Sequence, residues 1–151
     1  MAFTSYMELA LNEARAAADR GEVPVGAVLI DPQGQVAAQA GNRTRERNDP
    51  TAHAEILVIR DACARLGTER LIGFDLYVTL EPCAMCAAAI AAARIGRVYF
   101  GASDPKSGGV LHGARVFDHP QAHHVPEIYD GIGEASAADL LKTFFAARRH
   151  P

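Results

Sequence analysis

Thr51-Ala52-His53-Ala54-Glu55 and Pro82-Cys83-Ala84-Met85-Cys86 are the two stretches whose reading decides how the chain must fold. Residues two apart on a continuous helix point roughly 200° away from each other. His53 and Glu55 therefore cannot face one point from mid-helix. They can do so if the helix begins here, with His53 on the entry turn. Asp49-Pro50-Thr51 supplies such a start, with Thr51 as a reasonable N-cap. Cys83 and Cys86 are three apart and share a helix face. Pro82 just before them suits a first helical turn. Two helix N-termini would then point at one spot, where their partial positive charge favours thiolate and a bound anion such as hydroxide.

Working outward, the helix after Thr51 runs to about Leu66, with Ile56, Ile59, Ala62, Cys63 and Leu66 as its expected buried face, and Gly67 ends it. Leu76 to Leu80 reads as a short strand before the Pro82 helix. That helix is the alanine-rich run Cys83 to Ala93, broken at Gly96, and Arg97 to Gly101 follows as a strand. Towards the N-terminus, Ser5-x-x-Glu8 reads as a capping box for a helix whose apolar stripe is Met7, Ala10, Leu11, Ala14, Ala17 and Ala18. Gly21 stops it. Val23 to Ile30 and Val36 to Ala40 flank the turn signal Asp31-Pro32-Gln33-Gly34, so they form a hairpin. A polar loop with Arg43, Arg45 and Arg47 follows. Residues 104–126 are rich in Gly, His and Pro. A short strand is expected at Glu127 to Tyr129, and a last helix after Ser136 carries Leu140, Leu141, Phe144 and Phe145 to about Arg149. The order helix, hairpin, helix, strand, helix, strand gives an α/β layered domain.

The chain has 151 residues, 49% hydrophobic and 22% charged, which suits one compact domain over 1–151 with no linker or internal repeat. No apolar run reaches the roughly 20 residues of a membrane helix, and no secretory signal is visible, so a cytoplasmic location is the default expectation. The net charge of −3 gives no global support for nucleic-acid binding, which would need a local basic patch. Three cysteines, two of them in C-x-x-C, point to metal or redox work rather than a disulfide framework.

His53, Cys83 and Cys86 match a catalytic zinc site with three protein ligands and an open fourth position for water. Glu55 is then a base beside that water and not a ligand. A structural site would want a fourth ligand, and His112, His119, His123 and His124 are available in composition. A redox C-x-x-C would leave His53 and Glu55 idle. Cys63 falls on the expected buried helix face and reads as a small core residue.

The pairing of H-x-E with P-C-x-x-C is the known zinc-deaminase signature. The flanking stretches extend the likeness: Glu22 to Val28, Asp49 to Glu55, Thr79 to Cys86 and Arg94 to Val98. They closely resemble bacterial tRNA-specific adenosine deaminases, of the cytidine deaminase-like superfamily. The resemblance runs nearly the whole chain. It implies a three-layer α/β/α sandwich around a five-stranded mixed sheet, one zinc per subunit and a homodimer. It also implies conversion of adenosine to inosine at the wobble position in the anticodon loop of an arginine tRNA. Carried over by position, His53, Cys83 and Cys86 would bind zinc and Glu55 would shuttle protons. Asn42 would contact the flipped nucleotide, Asp104 matches a substrate-loop position near it, and Phe144, Phe145, Arg148 and Arg149 would help hold the anticodon loop. Read without the family, Asn42 and Asp104 are turn residues. The two Phe are core, and the Arg pair is a favourable charge at a helix C-terminus.

One segment departs from the family pattern. Ser107-Gly108-Gly109-Val110-Leu111-His112 is not the Gly/Ala-rich loop of the best-known members. Two other functions fit parts of the pattern. The same zinc chemistry serves a deaminase of free bases, nucleosides or nucleotides, such as guanine, cytosine or cytidine. A non-catalytic zinc-stabilised RNA-binding module would need a fourth ligand and has no use for Glu55. Arg43, Arg45, Arg47, Arg94, Arg97, Arg148 and Arg149 could gather into an RNA-binding surface, or could be scattered surface charges.

Overall fold

Strand β1 (Gly26–Ile30) is buried along its whole length, and alternate residues serve two different cores. Ala27 and Leu29 face one side; Val28 and Ile30 face the other. The same alternation continues in β3 (Asp75–Leu80), where Leu76 and Val78 share the first core and Tyr77 the second. A strand covered on both faces needs a helical layer on each. The computed structural model describes residues 3–148. On one face lie α2 (Ala54–Leu66) and α3 (Ala84–Ala93), which supply Val58, Ala62, Ala87 and Ile90. On the other lie α1 (Met7–Asp19) and α4 (Glu134–Arg148), which supply Met7, Leu11 and Ala137. This is the expected α/β/α sandwich.

The sheet has five strands in the order β2-β1-β3-β4-β5, with β2 at Val36–Gly41, β4 at Arg97–Ala102 and β5 at Glu127–Tyr129. β1 pairs antiparallel with β2 and β3, whereas β3–β4 and β4–β5 are parallel. The C-terminal ends of β3 and β4 therefore lie beside the start of β1 and the end of β2. Four segment ends meet at that edge, and α2 and α3 both begin there.

Several local expectations are corrected. Helix α1 starts at Met7. Ser5 Oγ accepts the Met7 N–H at 3.2 Å, but Glu8 pairs with Arg15 instead of closing a capping box. Helix α2 begins at Ala54, with His53 rather than Thr51 at the N-cap. Thr51 is instead held by Asp49, whose Oδ1 accepts its N–H and its hydroxyl at 2.9 and 2.7 Å. Its buried face is Ala54 to Val58 and Ala62. Ile59 and Cys63 are half-buried at its flank, and Leu66 is 53% exposed because the last turn runs past the packed face. Helix α3 ends on Arg94, which takes the left-handed conformation (φ 64°) before Gly96 is reached. Helix α4 starts at Glu134, so Ser136 lies inside it. Arg149 falls outside the described residues. Among those residues no helix is long and apolar enough to cross a membrane.

Helix α1 lies against the hairpin at a pair of facing glycines, Gly26 and Gly41. A Cβ on Gly41 would sit 2.6 Å from Glu13 O, and one on Gly26 would run into Ala10 O. Gly41→Ala is expected to lower stability by about 1–3 kcal/mol through overpacking. Urea unfolding measures this, and an unchanged midpoint would disprove the close approach.

Candidate active site

The two helix starts that the sequence demands are built alike. His53 at the N-cap of α2 has φ −73° and ψ 152°; Cys83 at the N-cap of α3 has φ −71° and ψ 174°. Extended backbone at each cap turns the side chain off the end of its helix. His53 Nδ1 then lies 3.6 Å from Cys83 Sγ and 3.5 Å from Cys86 Sγ. All three donor atoms fall within 4.8 Å of one another. Zn–S and Zn–N bonds of their usual lengths in a tetrahedron put S and N roughly 3.6 Å apart. The observed spacings match this, so the donor set fits a zinc ion without rearrangement. His112, His119 and His124 are engaged elsewhere, with Glu81, Ala114 O and Ile95 O respectively. Among the described residues the cluster has three members and no fourth.

The electrostatics follow from the convergence. Cys83 is held down to about 4, first by S–H donation from Cys86 and then by His53. Cys86 moves strongly upward because it is the donor in that pair and is buried. His53 is raised, chiefly through its contact with Cys83. Glu55, on the first turn of α2, is 3% exposed. Burial lifts its carboxyl from 4.5 to about 6, although the backbone N–H and His53 pull the other way. Its Oε1 has no hydrogen-bond partner, alone among buried side-chain N and O atoms of the described residues. A buried carboxylate left unpaired is costly and marks a group kept for a ligand or a proton.

Above these groups lies a cavity of about 230 Å³, lined by His53, Glu55, Cys83, Asn42, Thr44 and Asp104 among others. Asn42 is 8% exposed and its Oδ1 accepts the Ala54 N–H at 2.9 Å. It therefore caps α2 from outside, and its NH2 remains as the group a ligand in the cavity can use. Asp104 Oδ1 accepts the N–H groups of Lys106 and Ser107 at 3.2 and 2.9 Å. Phe145 lines a neighbouring hollow of about 460 Å³ that shares Val23, Leu80, Asp104 and Ser107 with the cavity. Phe144 points the other way, is buried, and carries the Arg148 guanidinium 3.6 Å over its ring. Adjacent residues on a helix are about 100° apart, so the two Phe divide between core and groove.

The arginines do not form one surface. Arg43 is tied to Glu46 at 2.8 Å, and Arg97 pairs with Glu127 at the opposite end of β4. Arg45 and Arg148 each reach Gly21, Arg45 donating to its carbonyl oxygen at 3.3 Å and the Arg148 guanidinium lying beside its Cα.

Sequence reasoning overlooked two buried glutamates. Glu22 (1% exposed) accepts the N–H groups of Arg45 and Glu46 at 3.1 and 2.8 Å. Glu81 (2% exposed) does the same for residues 104–112. Burial alone would push the Glu81 carboxyl up, but these donors outweigh it and hold it below the usual range. The available signal was a lone acid embedded in apolar sequence, Glu22-Val23-Pro24 and Leu80-Glu81-Pro82.

Comparison with known proteins agrees with this geometry. Residues 3–102 match the family described as cytidine and deoxycytidylate deaminase zinc-binding region. A tRNA-specific adenosine deaminase of Agrobacterium fabrum is 60% identical over 146 residues, 97% of this chain and 95% of that protein. The chain belongs to the tRNA-specific adenosine deaminases. Their member in Aquifex aeolicus is 45% identical, over 96% of this chain and 95% of its own length. A structure from a study of A-to-I editing by tRNA:A34 deaminases superposes with a TM-score of 0.88 at 62% identity, covering 90% of this chain and 98% of that one. A guanine deaminase of Bacillus subtilis gives 0.65 at 29% identity, covering 100% and 96%.

Once metal is removed by a chelator, Glu55 is a liability for folding. The rise from 4.5 to about 6 corresponds to about 2 kcal/mol against the ionised form. That cost is absent below about pH 4, grows as pH rises, and is complete above about pH 6. Glu55→Gln is thus expected to stabilise the metal-stripped protein at about pH 8 by up to about 2 kcal/mol and to lose that advantage at about pH 4. Chemical denaturation at both pH values tests it; a less stable variant at the higher pH would refute the assignment of strain to Glu55.

Proposed function

We propose that this chain is a zinc-dependent hydrolase that converts adenosine to inosine at the wobble position of a transfer RNA, with water consumed and ammonia released. One observation carries the chemistry: the buried, unpartnered Glu55 carboxyl beside the His53, Cys83 and Cys86 donors. His53, Cys83 and Cys86 hold the metal, which when bound lowers the pKa of water toward neutrality and so supplies the nucleophile. Glu55 takes the proton from that water and delivers it to N1 of adenine. The hydroxyl left by that water adds to C6 as N1 is protonated. When the tetrahedral centre collapses to the C6 carbonyl, the same carboxyl takes the proton of that hydroxyl and passes it to the departing amine, which leaves as ammonia. Its carboxyl, raised to about 6, is suited to accept and release protons near neutral pH. Asn42, with its oxygen committed to Ala54, offers its NH2 to the base. The base must leave its stack to enter, and an anticodon loop makes that cheaper than a duplex.

The tRNA substrate rests on relatives 45–60% identical that are named tRNA-specific adenosine deaminases. We further propose an arginine tRNA, a single deaminase domain over 1–151, a cytoplasmic location and a homodimer. Phe145 at the outer groove, with Asp104 and Ser107 between it and the cavity, supports a loop threaded past α4. Arg148 and Arg45, each near Gly21, support phosphate contacts there. Phe144, buried beneath the Arg148 guanidinium, supports that arginine, and we propose Arg149 as a further contact of the anticodon loop. The mostly apolar hollow between α3 and Val116, lined by Ala88, Ala91 and Ala92, supports a self-association face. A second reading, deamination of a free base, is favoured by the structural similarity to a guanine deaminase.

Glu55→Ala is expected to retain zinc and lose turnover, by about 100-fold or more, whereas Cys83→Ala loses both. Metal analysis and an inosine assay on an arginine tRNA anticodon stem-loop measure this. Full activity of Glu55→Ala removes its role, and deamination confined to free guanine, cytosine, cytidine or adenosine in a parallel panel replaces the substrate.

A further inference from the structure

The loop that departs from the family pattern is held by a single carboxylate. Glu81 lies between β3 and the ligand Cys83, and its side chain is fully enclosed. Its Oε1 accepts the Asp104 N–H at 3.0 Å and faces His112 Nδ1 at 2.8 Å. Its Oε2 accepts the N–H groups of Val110, Leu111 and His112 at 3.2, 2.9 and 3.1 Å. The donors are five groups from four residues of one loop, so both ends of residues 104–112 close on the same two oxygens. Hydrogen bonds to a charged acceptor are about twice as strong as neutral ones.

The middle of the loop is pressed onto the same place. A Cβ on Gly108 would lie 2.6 Å from Glu81 Cδ, and one on Gly109 would lie 2.5 Å from Ala84 N, inside the first turn of α3. Gly109 N–H donates to Pro82 O at 2.8 Å. Only glycine permits that contact, which explains Gly108-Gly109 in this chain. The outward side of the loop presents Asp104 and Ser107 to the cavity and to the outer groove. His112 completes the carboxylate's shell from the far end and lies outside the zinc cluster.

We propose that Glu81 is a positioning residue for the substrate: it locks residues 104–112 against the start of α3 and so sets where Asp104 and Ser107 stand in the cavity they share with His53, Glu55 and Cys83. His112 is its side-chain partner. The kinetic consequence rests on the deaminase reading above; the loop-locking itself does not.

Three measurements on the zinc-loaded full chain test it. Glu81→Gln keeps the size but turns an NH2 toward N–H donors. It is expected to keep one zinc per chain and to speed amide exchange of Val110, Leu111 and His112. On the anticodon stem-loop it should raise KM by about tenfold while kcat changes much less. His112→Ala removes one donor from a half-exposed position, leaves the four backbone donors in place, and is expected to shift the same readings by a smaller factor. Glu81→Asp, which keeps the charge, should fall between Gln and the native protein. Unchanged amide exchange in both Glu81→Gln and His112→Ala overturns the proposal. So does a loss confined to kcat, which would make the carboxylate part of the chemical step. Should Glu81→Gln fail to fold, His112→Ala decides by the same criteria. If the native protein deaminates only a free base, the tRNA reading fails, while the exchange data and KM for that base still judge Glu81.

Discussion

Two helices must begin at one point, and the rest of the molecule is arranged to make that possible. His53 and the two cysteines are thirty or more residues apart, yet their donor atoms come within 4.8 Å. A helix N-terminus can be aimed only by what precedes it. For α3 that is β3, a strand buried on both faces and paired on both edges. For α2 it is the end of β2 and the Asn42 side chain, whose oxygen takes the first N–H of the helix. The β1–β3 pairing sets the distance between the two. The N–H groups at a helix start lack intrahelical partners, so both helices bring the positive ends of their dipoles to the His53, Cys83 and Cys86 donors. The helix ends thus supply charge stabilisation as a by-product of being ends.

The cavity walls are loops, and loops need a different means of support. Here two buried carboxylates do the work. Glu22 gathers the N–H groups of Arg45 and Glu46 beside Asn42 and Thr44. Glu81 gathers those of residues 104–112 beside Asp104 and Ser107. Burying a charge is unfavourable unless hydrogen bonds replace its hydration, and each carboxylate has them. Glu55 is the opposite case. It sits at comparable depth with one oxygen unpaired. Three buried acids thus divide by their partners: two are satisfied and hold loops, and one is unsatisfied and faces the donor cluster. That contrast separates the two loop-holding acids from Glu55 more sharply than burial does.

Much of this was legible beforehand, for identifiable reasons. The β5 strand at Glu127–Tyr129 and the hairpin around Asp31–Gly34 follow from local chemistry, and both stand as expected. Expectations slipped where tertiary contacts outvote local preference. Thr51 is a good N-cap by type, but its hydroxyl is taken by Asp49, and the helix waits until Ala54. Leu66 has the right spacing for a core position yet lies beyond the packed face. Phe144 and Phe145 looked equivalent and are not, since one packs under Arg148 and the other opens to the groove. The arginines grouped in sequence disperse in space because Arg43 and Arg97 find acidic partners on separate sides.

By itself the sequence determined the donor set and its chemistry. Spacing and residue type in H-x-E and P-C-x-x-C require two helix starts and suit a metal, because helical geometry is local and obeys fixed angles. It also determined the layered α/β plan, through apolar periodicity. Only the tertiary structure decided what surrounds the metal site. Glu81 reaches residues up to thirty-one positions away, Asn42 caps a helix twelve residues on, and Glu55, alone among the described residues, keeps a buried side-chain oxygen unpaired. Those facts depend on which backbone N–H groups lack partners after the sheet has formed, and no local pattern records that.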